Sequence, residues 1–101
     1  MPTQKREKLT EAQIQDELTV LKGWDLASGK LHRRFKFENF IDAFAFMTKL
    51  ALVSERINHH PEWTNVYNTV EIFLTTHDVG AVSNLDVEFA RSADHYFGVR
   101  R

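Results

Sequence analysis

The sequence predicts an α+β domain: a four-stranded antiparallel sheet with helices packed on one face, in the order α-β-β-α-β-β-α. Three observations predict it. Apolar residues recur at steps of three and four in three separate stretches, Ile14-Leu18-Leu21, Ala43-Phe46-Leu50-Val53-Ile57 and Leu85-Phe89-Ala93-Phe97. Between these stretches lie two pairs of short alternating segments, each pair separated by turn-forming residues. With 101 residues, 43% of them hydrophobic, the chain is large enough for one core and too small for two.

Each element has a local reason. Residues 1–9 are charged and aperiodic, and are expected to form a flexible tail ahead of a single domain over 10–101. Thr10 is a helix N-cap with Glu11 in the first turn, so a first helix is expected from Glu11 to Leu21, ended by Lys22-Gly23. Trp24 to Ala27 and Leu31 to Phe37 read as strands around the turn signal "ASGK". In the second, Leu31, Arg33, Phe35 and Phe37 point one way and His32, Arg34 and Lys36 the other. Asn39 caps a long second helix that stops near Asn58, because the residues before Pro61 are driven into extended backbone. Trp63 to Tyr67 and Val70 to Thr76 form a second hairpin about Asn68-Thr69. Ser83 and Asp86 have the spacing of a capping box and start the last helix. Beyond a weak αββ echo there is no repeat.

Composition narrows function. The chain has no cysteine, which excludes disulfides, zinc-thiolate sites and thiol nucleophiles and suits a reducing compartment. A formal net charge of −1 gives no bulk attraction to nucleic acid or anionic membrane. The basic residues Arg33, Arg34 and Lys36 are expected to form a solvated face, and His32 to be solvated with them. "MPTQKREKLT" does not read as a signal peptide, and the apolar stretch Phe40–Val53 is interrupted by Asp42, Thr48 and Lys49. The expectation is a soluble cytoplasmic protein.

The histidines carry the chemistry. His59 and His60 stand together at a helix-to-strand junction, and His77 ends the fourth strand before "DVG". In a hairpin about Asn68-Thr69, the indices of facing residues sum to about 137, which brings position 60 opposite 77. Three imidazoles then meet from two segments, a set suited to general acid and base work near neutral pH. Three histidines can also hold zinc, with Asp78, Asp86 or Glu55 joining, but an adjacent pair diverges and is a poor chelate. Glu55, on the last turn of helix two, is placed to orient an imidazole. Trp63 is either core or the wall of a pocket for a flat heterocycle, and Tyr67, on the same strand face, is core or subunit interface. No serine lies in a nucleophile elbow and no glycine-rich phosphate loop is present.

Glu55, then His59-His60-Pro61 after three residues, then Tyr67, His77 and Asp86, within "HHPEWTNVYNTVEIFLTTHDVGAVSNLD", resemble the pterin-4a-carbinolamine dehydratases. The resemblance extends from about Leu9 to Phe97, and the family's αββαββα order agrees with the elements above. Two departures stand out: "VGAVS" where many members have a Gly-Gly-Leu-Thr-like run, and Asn58 where an aspartate is frequent. The resemblance implies removal of water from 4a-hydroxytetrahydropterin to give quinonoid dihydropterin, as part of tetrahydrobiopterin recycling beside an aromatic amino acid hydroxylase. It implies His59 and His77 as the acid/base pair, with His60 positioning the pterin or assisting. Glu55 and Asp86 would orient groups or contact the ring. Asn58, Pro61, Trp63, Thr75 and Thr76 would complete the substrate site. No cofactor or metal is implied. A homodimer or homotetramer is implied, and so is an alternative role, since some animal members act as dimerisation cofactors for a homeodomain transcription factor.

Overall fold

A computed structural model describes residues 5–99 of the chain. The elements follow in the expected order: α1 (Glu11–Val20), β1 (Asp25–Ala27), β2 (Lys30–Lys36), α2 (Phe40–Ile57), β3 (Glu62–Val66), β4 (Thr69–Leu74) and α3 (Asn84–Gly98), with a short 3₁₀ turn at His77–Val79 before α3. The strands form one antiparallel sheet in the order β1-β2-β4-β3. Ser28 and Gly29, at φ 54° and 77°, make the first hairpin a two-residue loop with both central residues left-handed, the geometry that matches strand twist.

The helices cover one face. Leu31, Phe35, Val70, Ile72 and Leu74 of the sheet are buried against Ala43, Phe46, Leu50, Val53 and Ile57 of α2 and Phe89, Ala90 and Ala93 of α3. Phe35 is the hub, with ring centroids of Phe46, Phe97 and Trp24 at 4.9, 5.1 and 5.9 Å. Arg33 shares this inner side. Its Nη1 and the Trp24 indole N–H both donate to Asp94 Oδ1, at 2.8 and 2.7 Å, and its guanidinium lies 4.4 Å from the Phe35 ring centroid. A charged group is tolerated there because it is paired and its stem packs on aromatic surface. Half-burial pushes the Asp94 carboxyl up, against the bonds from Trp24 and Arg33 that pull it down. Arg33 therefore does not join Arg34 and Lys36 in a common basic face.

The helix-free face carries His32, which is not merely solvated. Its Nδ1 lies 3.1 Å from Asp25 of β1 and its Nε2 2.7 Å from Glu71 of β4, and its ring packs on Phe73. Burial lowers the His32 pKa, but the bonds to Glu71 and Asp25 outweigh it and the net displacement is upward. Only an imidazolium can donate from both nitrogens, so the protonated ring ties three strands together.

Two further expectations are corrected. Residues 1–4 of the expected tail lie outside the described residues, but residues 5–9 are tied to the start of α3: Leu9 N–H donates to Val82 O, Glu7 N–H to Asn84 Oδ1, and the Asn84 amide to Lys5 O. Aperiodic charged sequence cannot reveal such an anchor, because the partner is the start of α3. The second hairpin turns one residue early. Val66 pairs with Thr69 and Glu62 with Phe73, so facing indices sum to 135. The Asn65 side chain explains the shift, donating to Tyr67 O and Thr69 O at 3.1 and 2.9 Å while Tyr67 takes a left-handed φ of 51°. Tyr67 is consequently an exposed turn residue rather than core.

Two measurements check these contacts. Asp94→Ala strips the partner from Trp24 and Arg33 at once and is expected to destabilise the fold by about 2–4 kcal/mol in urea unfolding. The His32 pKa is raised on folding, so its stabilisation is complete below the unfolded value of 6.5 and is lost as pH rises through the folded value. The difference in unfolding free energy between wild type and His32→Asn should therefore shrink between pH 6 and pH 9. A constant difference would show that the ring is not held as the cation.

Candidate active site

The site is built where the end of α2, the end of β4 and the start of α3 meet. Helix α2 terminates at Asn58, whose left-handed backbone (φ 53°, ψ 48°) lets its own N–H and that of His59 both reach Ser54 O. The chain reverses there, and Pro61 keeps His60 extended as β3 begins. The two rings consequently leave in different directions. His59 turns inward, 8% exposed, with Nε2 2.5 Å from Asp86 Oδ1. His60 stays at the surface with Nε2 2.6 Å from Glu55 Oε2. Glu55 does orient an imidazole, and the ring it holds is that of His60.

Asp86 is fully buried on the first turn of α3. Its Oδ2 accepts from Ser83 N–H, completing the capping box, and from Thr76 Oγ1, both at 2.8 Å. Its Oδ1 accepts from His59. A carboxylate can only accept, so His59 carries its proton on Nε2. Its Nδ1 has no hydrogen-bond partner among the described residues.

His77 opens the 3₁₀ turn after β4 and is reached by way of Thr75 and Thr76. With the observed register, His60 is level with Thr75, and His77 lies two residues beyond. The three histidines still line one cleft. A cleft of about 250 Å³ is lined by Asn58, His59, His60, Thr75, Thr76 and His77, with Arg6 and Asp78 at its rim. His77 Nε2 lies 3.5 Å from Glu62 Oε2, so each of the three histidines faces its own carboxylate. Among the described residues, no three His, Asp or Glu side chains converge as metal ligands. Trp63 is not a wall of this cleft. It stands opposite Ile72 on the helix-covered side of the sheet and packs against the core. Pro61 shapes the backbone and does not line the cleft.

Two residues were not foreseen. Arg6 donates from Nη2 to Asn58 O at 2.7 Å and lies 3.4 Å from Asp78; nothing in its charged, aperiodic stretch signals this. Glu62 accepts from Lys30 Nζ at 2.7 Å and is held ionised, its pKa lowered chiefly by that bond. Its position at the open end of the hairpin, beside the histidine pair, is the signal that would have found it.

With this geometry in hand, the family model for pterin 4 alpha carbinolamine dehydratase matches residues 7–96. The chain belongs to the pterin-4-alpha-carbinolamine dehydratase family. That places it among the hydro-lyases. It is 48% identical over 95 residues to a Mesorhizobium japonicum protein named "Putative pterin-4-alpha-carbinolamine dehydratase", covering 92% of this chain and 97% of that one. A Prochlorococcus marinus protein of the same name is 51% identical over 86 residues, covering 85% of this chain and 90% of its own. A crystal structure described as a transcriptional coactivator/pterin dehydratase from Brucella melitensis superposes with a TM-score of 0.85 at 41% identity, over 88% of this chain and 97% of that one. The αββαββα order and the four-stranded sheet are thus those of this pterin dehydratase family. No helix among the described residues is long and apolar enough to cross a membrane.

The His59–Asp86 pair has a direct spectroscopic test. Long-range ¹H–¹⁵N spectra should show His59 protonated at Nε2. Asp86→Ala should abolish that pattern and destabilise the fold by about 3 kcal/mol, because three donors lose their acceptor in a buried site.

Proposed function

We propose that the protein removes water from a 4a-hydroxytetrahydropterin, giving the quinonoid dihydropterin, by general acid/base catalysis with His59 and His77. The observation that carries this reading is the state of His59: a buried ring fixed through Nε2 by Asp86, with Nδ1 left for a ligand in a cleft that His77 also lines. Dehydration needs one proton delivered to the departing 4a-oxygen as the C4a–O bond breaks, and one withdrawn from N5 as the ring nitrogen forms its double bond. One proton leaves N5 and the other arrives at the oxygen on the adjacent C4a, so two imidazoles along one cleft suit the task. No electrons pass between molecules, and the elimination calls for no redox cofactor. His60, steered by Glu55, positions the pterin. Asn58, Thr75 and Thr76 supply polar contacts along the cleft, and Asp86 orients His59 rather than touching the ring. In this reading the enzyme serves tetrahydrobiopterin recycling beside an aromatic amino acid hydroxylase, in the cytoplasm, where a cysteine-free chain is at home.

Self-association belongs to the same reading, and one observation supports it. Ile41, Phe44 and Leu52 form a second apolar stripe on α2, opposite its core stripe, and are 76%, 52% and 68% exposed. This face suits a homodimer or homotetramer. It equally favours the second reading, an interaction module on the same fold.

The decisive assay follows the ultraviolet absorbance of freshly generated 4a-hydroxytetrahydropterin. Wild type should accelerate its decay, and His59→Ala and His77→Ala should each lose about 100-fold or more, the usual contribution of a positioned acid or base. No acceleration by folded wild type would reject the enzyme reading and leave the interaction module.

A further inference from the structure

The N-terminal segment reaches the cleft through Arg6. Asn84, the first residue of α3, holds the backbone on either side of it. The Asn84 amide donates to Lys5 O at 2.9 Å, its Oδ1 accepts from Glu7 N–H at 2.8 Å, and its own N–H donates to Glu7 O at 3.2 Å. Lys5 and Glu7 are exposed, whereas the Arg6 side chain is only 22% exposed. Its Nη2 donates to Asn58 O at 2.7 Å, one residue before His59, and its Nε lies 3.4 Å from Asp78, one residue after His77. Arg6 thus stands between the two segments that carry the acid/base pair, and it lines the same cleft. A guanidinium donates in several directions and accepts in none. Among the described residues its Nη1 meets no acceptor.

We propose that Arg6 is a substrate-binding residue that donates to the carbonyl oxygen at C4 of the pterin, and that Asn84 is the positioning residue that presents it. The inference rests on the dehydration reading and deepens it. The reaction takes place at C4a and N5. C4 is bonded directly to C4a, and its carbonyl projects from the same edge of the ring as N5. A ring whose reacting edge faces His59 and His77 therefore brings that oxygen toward the side chain that joins their two segments. A fixed cation favours such an acceptor, because a charge-assisted hydrogen bond is stronger than a neutral one. Asn58 and Asp78 hold the guanidinium before a ligand arrives, so little side-chain entropy is lost on binding. The carbonyl is present in substrate and product alike, so the contact secures the ring rather than the transition state.

The test has a kinetic and a binding arm. In turnover, Arg6→Met should raise KM about tenfold, the effect of one charge-assisted hydrogen bond at a partly exposed site, and leave kcat within about twofold. Asn84→Ala should raise KM in the same direction. The double variant should be no worse than Arg6→Met alone, since Asn84 acts through Arg6. The binding arm compares a stable 7,8-dihydropterin with the 2-amino-7,8-dihydropteridine that lacks the 4-oxo group. Wild type should bind the oxo compound about tenfold more tightly, and Arg6→Met should bring the two affinities within about twofold of each other. Circular dichroism checks that each variant is folded. An unchanged KM, an equal loss of affinity for both compounds, or additive effects of the two substitutions would overturn the inference. An oxo preference that depends on Arg6, without turnover, would reject the dehydration and keep Arg6 as a pterin-binding residue. Turnover with a KM indifferent to Arg6 would do the reverse.

Discussion

The buried carboxylate of Asp86 is the constraint on which the site depends. A charge with no solvent exposure is costly unless every lone pair finds a donor. Here the donors come from three places: the N-cap backbone of α3, the Thr76 hydroxyl just past β4, and the His59 ring just past α2. Satisfying one carboxylate thus fixes the ends of three elements relative to one another. Thr76 also bonds Ser83 at 2.6 Å, so the group forms a closed network, and among the described residues no buried side-chain polar atom lacks a partner. A network of this kind is rigid because losing any member leaves the others unpaired in a low-dielectric setting.

The three cleft histidines differ in how firmly they are held. His59 is 8% exposed against a carboxylate at 0%, His60 is 57% exposed against one at 77%, and His77 is 84% exposed against one at 43%. Water screens the outer two pairs, and exposed pairs of this sort contribute little to stability. The arrangement combines one buried ring with two exposed ones. Preorganisation is concentrated where the network can enforce it, and adaptability lies at the rim.

Charge elsewhere is paired across elements rather than grouped. Arg33 goes inward to Asp94, Arg34 outward to Glu71, and Arg6 spans from the N-terminal segment to the end of α2. On α2, Ile41, Phe44 and Leu52 remain as an exposed apolar stripe.

The sequence by itself determined what depends on near neighbours. Thr10, Asn39 and Ser83 cap their helices, and the stripe Ala43-Phe46-Leu50-Val53-Ile57 faces the core, because capping and helical periodicity act over three or four residues. The histidine cluster was legible for the same reason, through two adjacent residues and a hairpin, although the turn falls one residue earlier than the apolar pattern indicates. Only the tertiary structure decided which carboxylate each ring meets. His59 lies 27 residues from Asp86, and Arg6 lies 52 from Asn58. It also decided that Trp63 packs against the core. Such pairings depend on where whole elements pack, and no local spacing encodes the direction in which a side chain finds a partner from another part of the chain.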